Sequence, residues 1–289
     1  MKIATAQFSC VPADISANVR QMVALTDTAR VRGAELVVFP ELALTGYELE
    51  ALLADRDLWV QADDPRLDAV RASGVATVVN CAAATDEGRP AIETLVFGPD
   101  GELITTYRKQ HLFAHERDLF VAGQHDGRFE FGGLRFALAT CFDNHFSELV
   151  SRGAADGCQV HLASSLYGTG GGVEELAVVY PGIAKDFDQH VVVANHVGPA
   201  GPWTGCGRST MWASGGDLLA QADADSPMVV TAEIGQSVRA MDQTQRVQKR
   251  GSSSGPQVDV AALAVTRGVG CEPLQLRLHG QHPPRLAGP

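Results

Sequence analysis

Short apolar runs that suit β-strands alternate along the chain with stretches of helical periodicity. Residues 36–39 are a continuous apolar run, and 75–82 are another, broken only by Thr77 and Asn80. Such runs fit strands covered on both faces. Residues 3–8, 134–140, 160–164 and 191–195 read as further strands. Val19, Met22, Val23, Thr26 and Ala29 recur at helical spacing behind a capping Asp14 or Ser16, and a second helix is expected over roughly 173–190. Residues 94–98 and 103–107 flank a Pro-Asp-Gly turn and read as a hairpin. Residues 211–217 and 228–234 supply the last expected strands, with a turn at 214–217. Interleaved strands and helices place the chain in the α/β or α+β class, with helices covering sheets.

Charge narrows the partners. The 289 residues carry a formal net charge of −11, which argues against nucleic acid or an anionic membrane. No apolar run is long enough to span a bilayer, and the N-terminus lacks a signal-peptide core, so a cytoplasmic protein is expected. The six cysteines form no CxxC pair and read as free thiols. The last aromatic residue is Trp212. Residues 1–245 are therefore expected to form the folded body. Residues 246–289 are read as a weakly ordered tail or oligomer contact, joined through a linker at 250–256.

Three polar residues follow strand ends, where a rigid element meets a loop. Glu41 follows LVVFP, Lys109 stands within YRKQHLF, and Cys141 follows FALAT. A thiol attacks as the thiolate, so it needs a base to take its proton. A carboxylate can do so, and an ammonium can stabilise the thiolate and then an oxyanion. The backbone N–H of Phe142 is a natural second oxyanion donor. No GxSxG elbow follows an expected strand, since the GSSSG at 251–255 falls in the linker stretch, and this argues against a serine hydrolase. His111, His115, Cys141 and His145 offer a competing metal site, and Cys141 with Cys158 a competing redox pair. No metal or cofactor is expected.

These segments identify a resemblance to the nitrilase superfamily of carbon–nitrogen hydrolases. The segment 33–47, GAELVVFPELALTGY, matches the motif that carries the family's catalytic Glu, here Glu41. Residues 107–112, YRKQHL, match the Lys motif at Lys109, and 141–143, CFD, match the nucleophile motif at Cys141. Glu116 matches a further family Glu that positions substrate and the Lys. The resemblance covers residues 2–235 and implies an αββα sandwich of two packed sheets with outer helices. It also implies a homodimer or larger homo-oligomer, a small-molecule amide substrate and no cofactor. Phe142 replaces the usual Trp or Tyr, and Ser147 the usual Pro. The segment 184–190 also lacks the family's Arg-Ala-x-Glu-Asn pattern, and these changes touch the pocket wall and an outer helix rather than the triad. Tyr47, Phe142 and Tyr167 are the expected wall, with Trp203 as a further candidate, Arg208 as a candidate anion contact and 168–172 as a mobile loop near the entrance. An ω-amidase or N-carbamoyl amidase is the leading reading. A nitrilase, an N-acyltransferase and a non-catalytic binding member are the alternatives.

Overall fold

The apolar runs build two six-stranded sheets. The computed structural model describes residues 1–235, so the expected boundary at 245, the linker and the tail lie outside the described residues. The chain first lays down β1 (Lys2–Gln7), α1 (Ile15–Val31), β2 (Leu36–Val38), α2 (Leu49–Ala54), α3 (Asp68–Arg71), β3 (Ala76–Ala83), β4 (Ala91–Phe97) and β5 (Leu103–Arg108). The short α4 (Glu116–Leu119) leads to β6 (Gly127–Phe131), β7 (Leu134–Thr140), α5 (Ser147–Ala155), β8 (Val160–Ser165), α6 (Gly171–Asp186) and β9 (His190–Asn195). A ribbon of β10 (Val197–Ala200) and β11 (Trp203–Cys206) follows, then β12 (Thr210–Trp212), β13 (Leu218–Gln221) and β14 (Met228–Glu233). The first sheet runs β14-β1-β2-β3-β4-β5 and the second β13-β12-β9-β8-β7-β6. In each, three neighbouring strands are parallel: β1, β2 and β3 in one, β7, β8 and β9 in the other.

The period of two along each strand explains why whole runs are apolar. Leu36 and Val38 of β2 pack into the core between the sheets, where they join Phe136, Leu138, Leu162 and Val192. Val37 and Phe39 point the other way, into a core shared with Ile15, Val19 and Met22 of α1. In the second sheet, Ala163, Val191 and Val193 pack outward against Leu176, Tyr180 and Ile183 of α6. Both faces of each sheet are thus covered, and the layers are helix, sheet, sheet, helix as expected. Truncating a central residue such as Phe136, which is fully buried, to Ala would cost ~3–5 kcal/mol.

Asp14 caps α1 as expected, its Oδ1 accepting from the Ala17 N–H at 2.8 Å. The helix expected to reach 190 stops at Asp186, ahead of Asp188 at φ 52°. The strand expected over 211–217 ends at Trp212, because Ala213 N–H closes a turn onto Asp217 O at 2.8 Å. The expected loop at 168–172 is divided between two elements. Gly168 bridges Gly205, Thr169 N–H donates to Thr204 O, and Gly171 and Gly172 begin α6. No described helix is long and apolar enough to cross a membrane.

Candidate active site

Glu41, Lys109 and Cys141 each stand just past a strand of the sandwich, and the two sheets bring them together. Glu41 follows β2 by a short turn, Lys109 follows β5 directly, and Cys141 opens a 3-10 turn (Cys141–His145) at the end of β7. Glu41, Lys109 and Glu116 are buried, and Cys141 is half-buried. Lys109 Nζ donates to Glu41 Oε1 at 2.7 Å and lies 2.8 Å from Glu116 Oε2. The Cys141 thiol donates to Leu166 O at 3.6 Å. Cys141 itself sits in the left-handed region at φ 46°, a conformation that the surroundings must hold for a residue with a Cβ.

The Glu41 turn is pinned from both sheets. Leu42, at φ 48°, donates its N–H to Asn80 Oδ1 at 2.7 Å. Asn80 Nδ2 in turn reaches Thr94 Oγ1 at 2.9 Å and Thr140 Oγ1 at 3.3 Å. From the second sheet, Ser164 Oγ donates to Phe39 O at 2.8 Å. Asn80 and Ser164 were not among the expected site residues. A buried Asn within an apolar strand is the signal that could have flagged the first.

Burial and charge set the protonation states. The cluster holds two carboxylates and one ammonium away from water. Burial pushes Glu41 up from its ordinary 4.5 to about 7, against the pull of Lys109 and with a further push from Glu116. Glu41 Oε2 is buried and unpartnered among the described residues. Burial and then the Glu41 charge raise the Cys141 thiol well above its ordinary value, against the pull of Lys109. Burial alone would lower Lys109, but Glu41 and Glu116 more than offset it and hold the ammonium charged. The resting arrangement is therefore a neutral thiol beside a carboxylate that titrates near neutrality.

A match to the carbon–nitrogen hydrolase family model spans residues 2–243. The chain belongs to the carbon–nitrogen hydrolase family. It is 31% identical to a 2-oxoglutaramate amidase of Bacillus subtilis over 46% of this chain and 52% of that protein. It is 24% identical to an omega-amidase of Xenopus tropicalis over 81% of this chain and 88% of that one. An amidase from Nesterenkonia sp. AN1 has the same fold, with a TM-score of 0.75 at 23% identity, covering 87% of this chain and 97% of that one.

Within this carbon–nitrogen hydrolase the expected wall residues have different surroundings. Tyr47 is buried, and its hydroxyl donates to Glu116 Oε1 at 2.6 Å, so it holds a carboxylate rather than presenting a bare ring. The other Glu116 oxygen accepts from Phe113 N–H at 2.7 Å. Phe142 is half-buried and meets Phe113 and Phe146 edge-on, with ring centroids 5.3 Å apart in each case. Tyr167 is buried, and its hydroxyl lies 3.4 Å from that of Tyr180. Trp203 is 51% exposed on the β10–β11 ribbon. Arg208 is tied through its backbone N–H to Asp223 O at 2.8 Å. His111 stacks on Phe146 with centroids 3.6 Å apart and is bonded to Asp143. Among the described residues no three His, Cys, Asp or Glu side chains come together as a metal site.

Proposed function

We propose that the protein hydrolyses small amides through a thioester on Cys141. The observation that carries this reading is Glu41, a buried carboxylate bonded to the Lys109 ammonium and titrating near 7 because of its burial. A base whose pKa lies near the working pH combines availability with driving force.

Glu41 takes the thiol proton as the Cys141 sulfur attacks the amide carbon, and the C=O electron pair moves onto oxygen. Lys109 Nζ and the Phe142 N–H hold that oxyanion. The Phe142 amide lies in the first turn of a 3-10 segment, where N–H groups have no partner within the turn. One such donor contributes ~3–4 kcal/mol to lowering the barrier. The oxyanion collapses, the C–N bond breaks, and protonated Glu41 passes its proton to the departing nitrogen. Ammonia or an amine leaves and a thioester remains. Glu41 then draws a proton from water, the hydroxide adds to the thioester carbon, and the C–S bond breaks. The acid departs and the thiol is restored by the Glu41 proton. Glu116 keeps Lys109 in place through its ion pair.

The substrate proposed is a small amide of the ω-amide or N-carbamoyl type, with an aliphatic or modestly polar acyl part against Phe142, Tyr47 and Tyr167. Two relatives are named for amides of oxo acids and for ω-amides. Solved forms of the Nesterenkonia amidase hold acrylamide and butyramide. A homodimer or higher homo-oligomer is proposed for the assembly, to be checked by sedimentation. The test of function is ammonia release from a panel of aliphatic amides, ω-amides, N-carbamoyl compounds and nitriles, with intact-mass detection of an acyl adduct. Cys141-dependent release with an adduct is the expected result. Turnover that survives Cys141→Ala would overturn the reading.

A further inference from the structure

Asp143 lies two residues beyond Cys141 and is fully buried. Its carboxylate accepts from five donors. Oδ2 receives Tyr107 OH at 2.7 Å and Thr140 N–H at 3.0 Å. Oδ1 receives Gln110 N–H at 3.2 Å, His111 N–H at 2.8 Å and His111 Nδ1 at 3.0 Å. Facing a carboxylate oxygen, Nδ1 must carry the imidazole proton, which fixes the tautomer.

One of these bonds, from Thr140, is the local cap that a turn-opening segment needs. The other four come from residues 107–111, the segment on either side of Lys109. Two of them are the first backbone amides after Lys109. A cap alone has no use for them. We infer that Asp143 is the positioning residue that locks the Lys109 segment to the nucleophile turn, so that ammonium and thiol keep one spacing. The inference rests on the thioester reading above for its catalytic meaning.

The chemistry of the site demands a carboxylate. All five partners are donors, so the side chain must accept at both ends and donate nothing. An Asn amide would set its hydrogens against the Thr140 N–H in one orientation and against the Gln110 and His111 N–H groups in the other, and backbone amides can only donate. The same carboxylate also braces Thr140, next to a nucleophile held at φ 46°. Release of one end would let Cys141 relax out of the left-handed region and let Lys109 drift.

The test compares wild type, Cys141→Ala, Asp143→Asn and Tyr107→Phe. It measures kcat and KM on the best amide of the panel, the rate at which iodoacetamide alkylates Cys141, and the melting temperature. Displacing a reacting group by about 1 Å costs roughly 100-fold in rate. Asp143→Asn is therefore expected to lower kcat by about 30- to 100-fold with KM within about twofold, and to slow Cys141 alkylation at least about tenfold. Tyr107→Phe removes one of the five bonds, leaves the carboxylate in place, and is expected to lower kcat by about three- to tenfold. A folded Asp143→Asn protein that keeps both kcat and alkylation rate within about twofold of wild type would overturn the inference. If Asp143→Asn does not fold, Tyr107→Phe decides on the same measurements. Failure of the thioester reading has a different signature, hydrolysis that persists in Cys141→Ala, and the alkylation comparison then still decides the role of Asp143.

Discussion

His196 and Glu41 meet between the two sheets: His196 Nε2 donates to the main-chain carbonyl of Glu41 at 2.5 Å, with both residues buried. His196 follows β9 of the second sheet and Glu41 follows β2 of the first. A carbonyl can only accept, so the imidazole keeps its proton on Nε2. This contact fixes where the backbone of Glu41 can lie.

Burial pulls His196 and His161 from their ordinary 6.5 down to about 4. Between those values the unfolded chain binds the extra protons and the folded chain does not. Each histidine then contributes up to ~3 kcal/mol of stability that is complete above pH 6.5 and lost as pH falls toward 4. Glu41 acts in the opposite sense between 4.5 and about 7, because its folded form holds the proton more tightly. Two groups against one leave a net loss of ~3 kcal/mol on acidification. The urea midpoint should fall between pH 7 and 4.5. A midpoint that holds or rises over that range would contradict the buried neutral histidines.

Glu41 must be ionised to accept the thiol proton. Since its folded value lies near 7, kcat/KM for a neutral amide should rise with pH through that region and then level. Glu41→Gln should remove the limb together with the activity, while leaving the melting temperature near that of wild type at pH 6. A profile already flat at pH 5 would mean that another group takes the proton.

Lys109→Met should abolish turnover and destabilise the fold in a pH-dependent way. Removing the ammonium leaves Glu41 and Glu116 as uncompensated buried carboxylates. Breaking a buried pair from one side costs ~3–5 kcal/mol. That cost should be larger at pH 8 than at pH 6, where Glu41 can take up a proton. Denaturant titrations at the two pH values test this directly, and equal costs at both would count against the argument.

Gly123→Ala offers a test of Lys109 placement from outside the charged cluster. Gly123 N–H donates to Lys109 O at 2.8 Å, and a Cβ at Gly123 would overlap the Arg108 carbonyl oxygen. Backbone cannot swing aside as a side chain does. The substitution should cost ~1–3 kcal/mol in stability and lower kcat by about tenfold or more through displacement of Lys109. Wild-type kcat and melting temperature in this variant would show that the strand end has slack.

The central strands were legible because both their faces are buried, so nearly every side chain is apolar. The strands that sequence reading missed lack that signal. β13 exposes Leu218 and Leu219 at the edge of its sheet, β6 mixes Arg and Glu among its residues, and the β10–β11 ribbon contains Gly and Pro. Their pairing is a product of neighbours rather than of local pattern.

Glu41, Lys109 and Cys141 stood out in the sequence because polar residues follow apolar runs inside recognisable motifs, and Glu116 through the family motif it matches. The hydroxyl contact of Tyr47 was not legible, for the opposite reason. An aromatic ring in a motif suggests a wall, and nothing local says that its hydroxyl meets a carboxylate 69 positions away. Asp143 was visible within the nucleophile motif, but its partners lie 32 to 36 residues upstream, apart from Thr140.

By itself, then, the sequence determined the layered α/β class and the strands with two buried faces, and it singled out Glu41, Lys109 and Cys141 as candidates for acyl transfer. Each of these is written in local pattern: apolar period, turn residues and the chemistry of single side chains. Tertiary structure alone decided that Glu41 is paired with Lys109, that burial lifts it to near neutrality, and that Asp143 and His196 tie the two sheets' loops into one frame. Those properties depend on low-dielectric surroundings and on hydrogen bonds between distant segments, and neither exists until the sheets have packed.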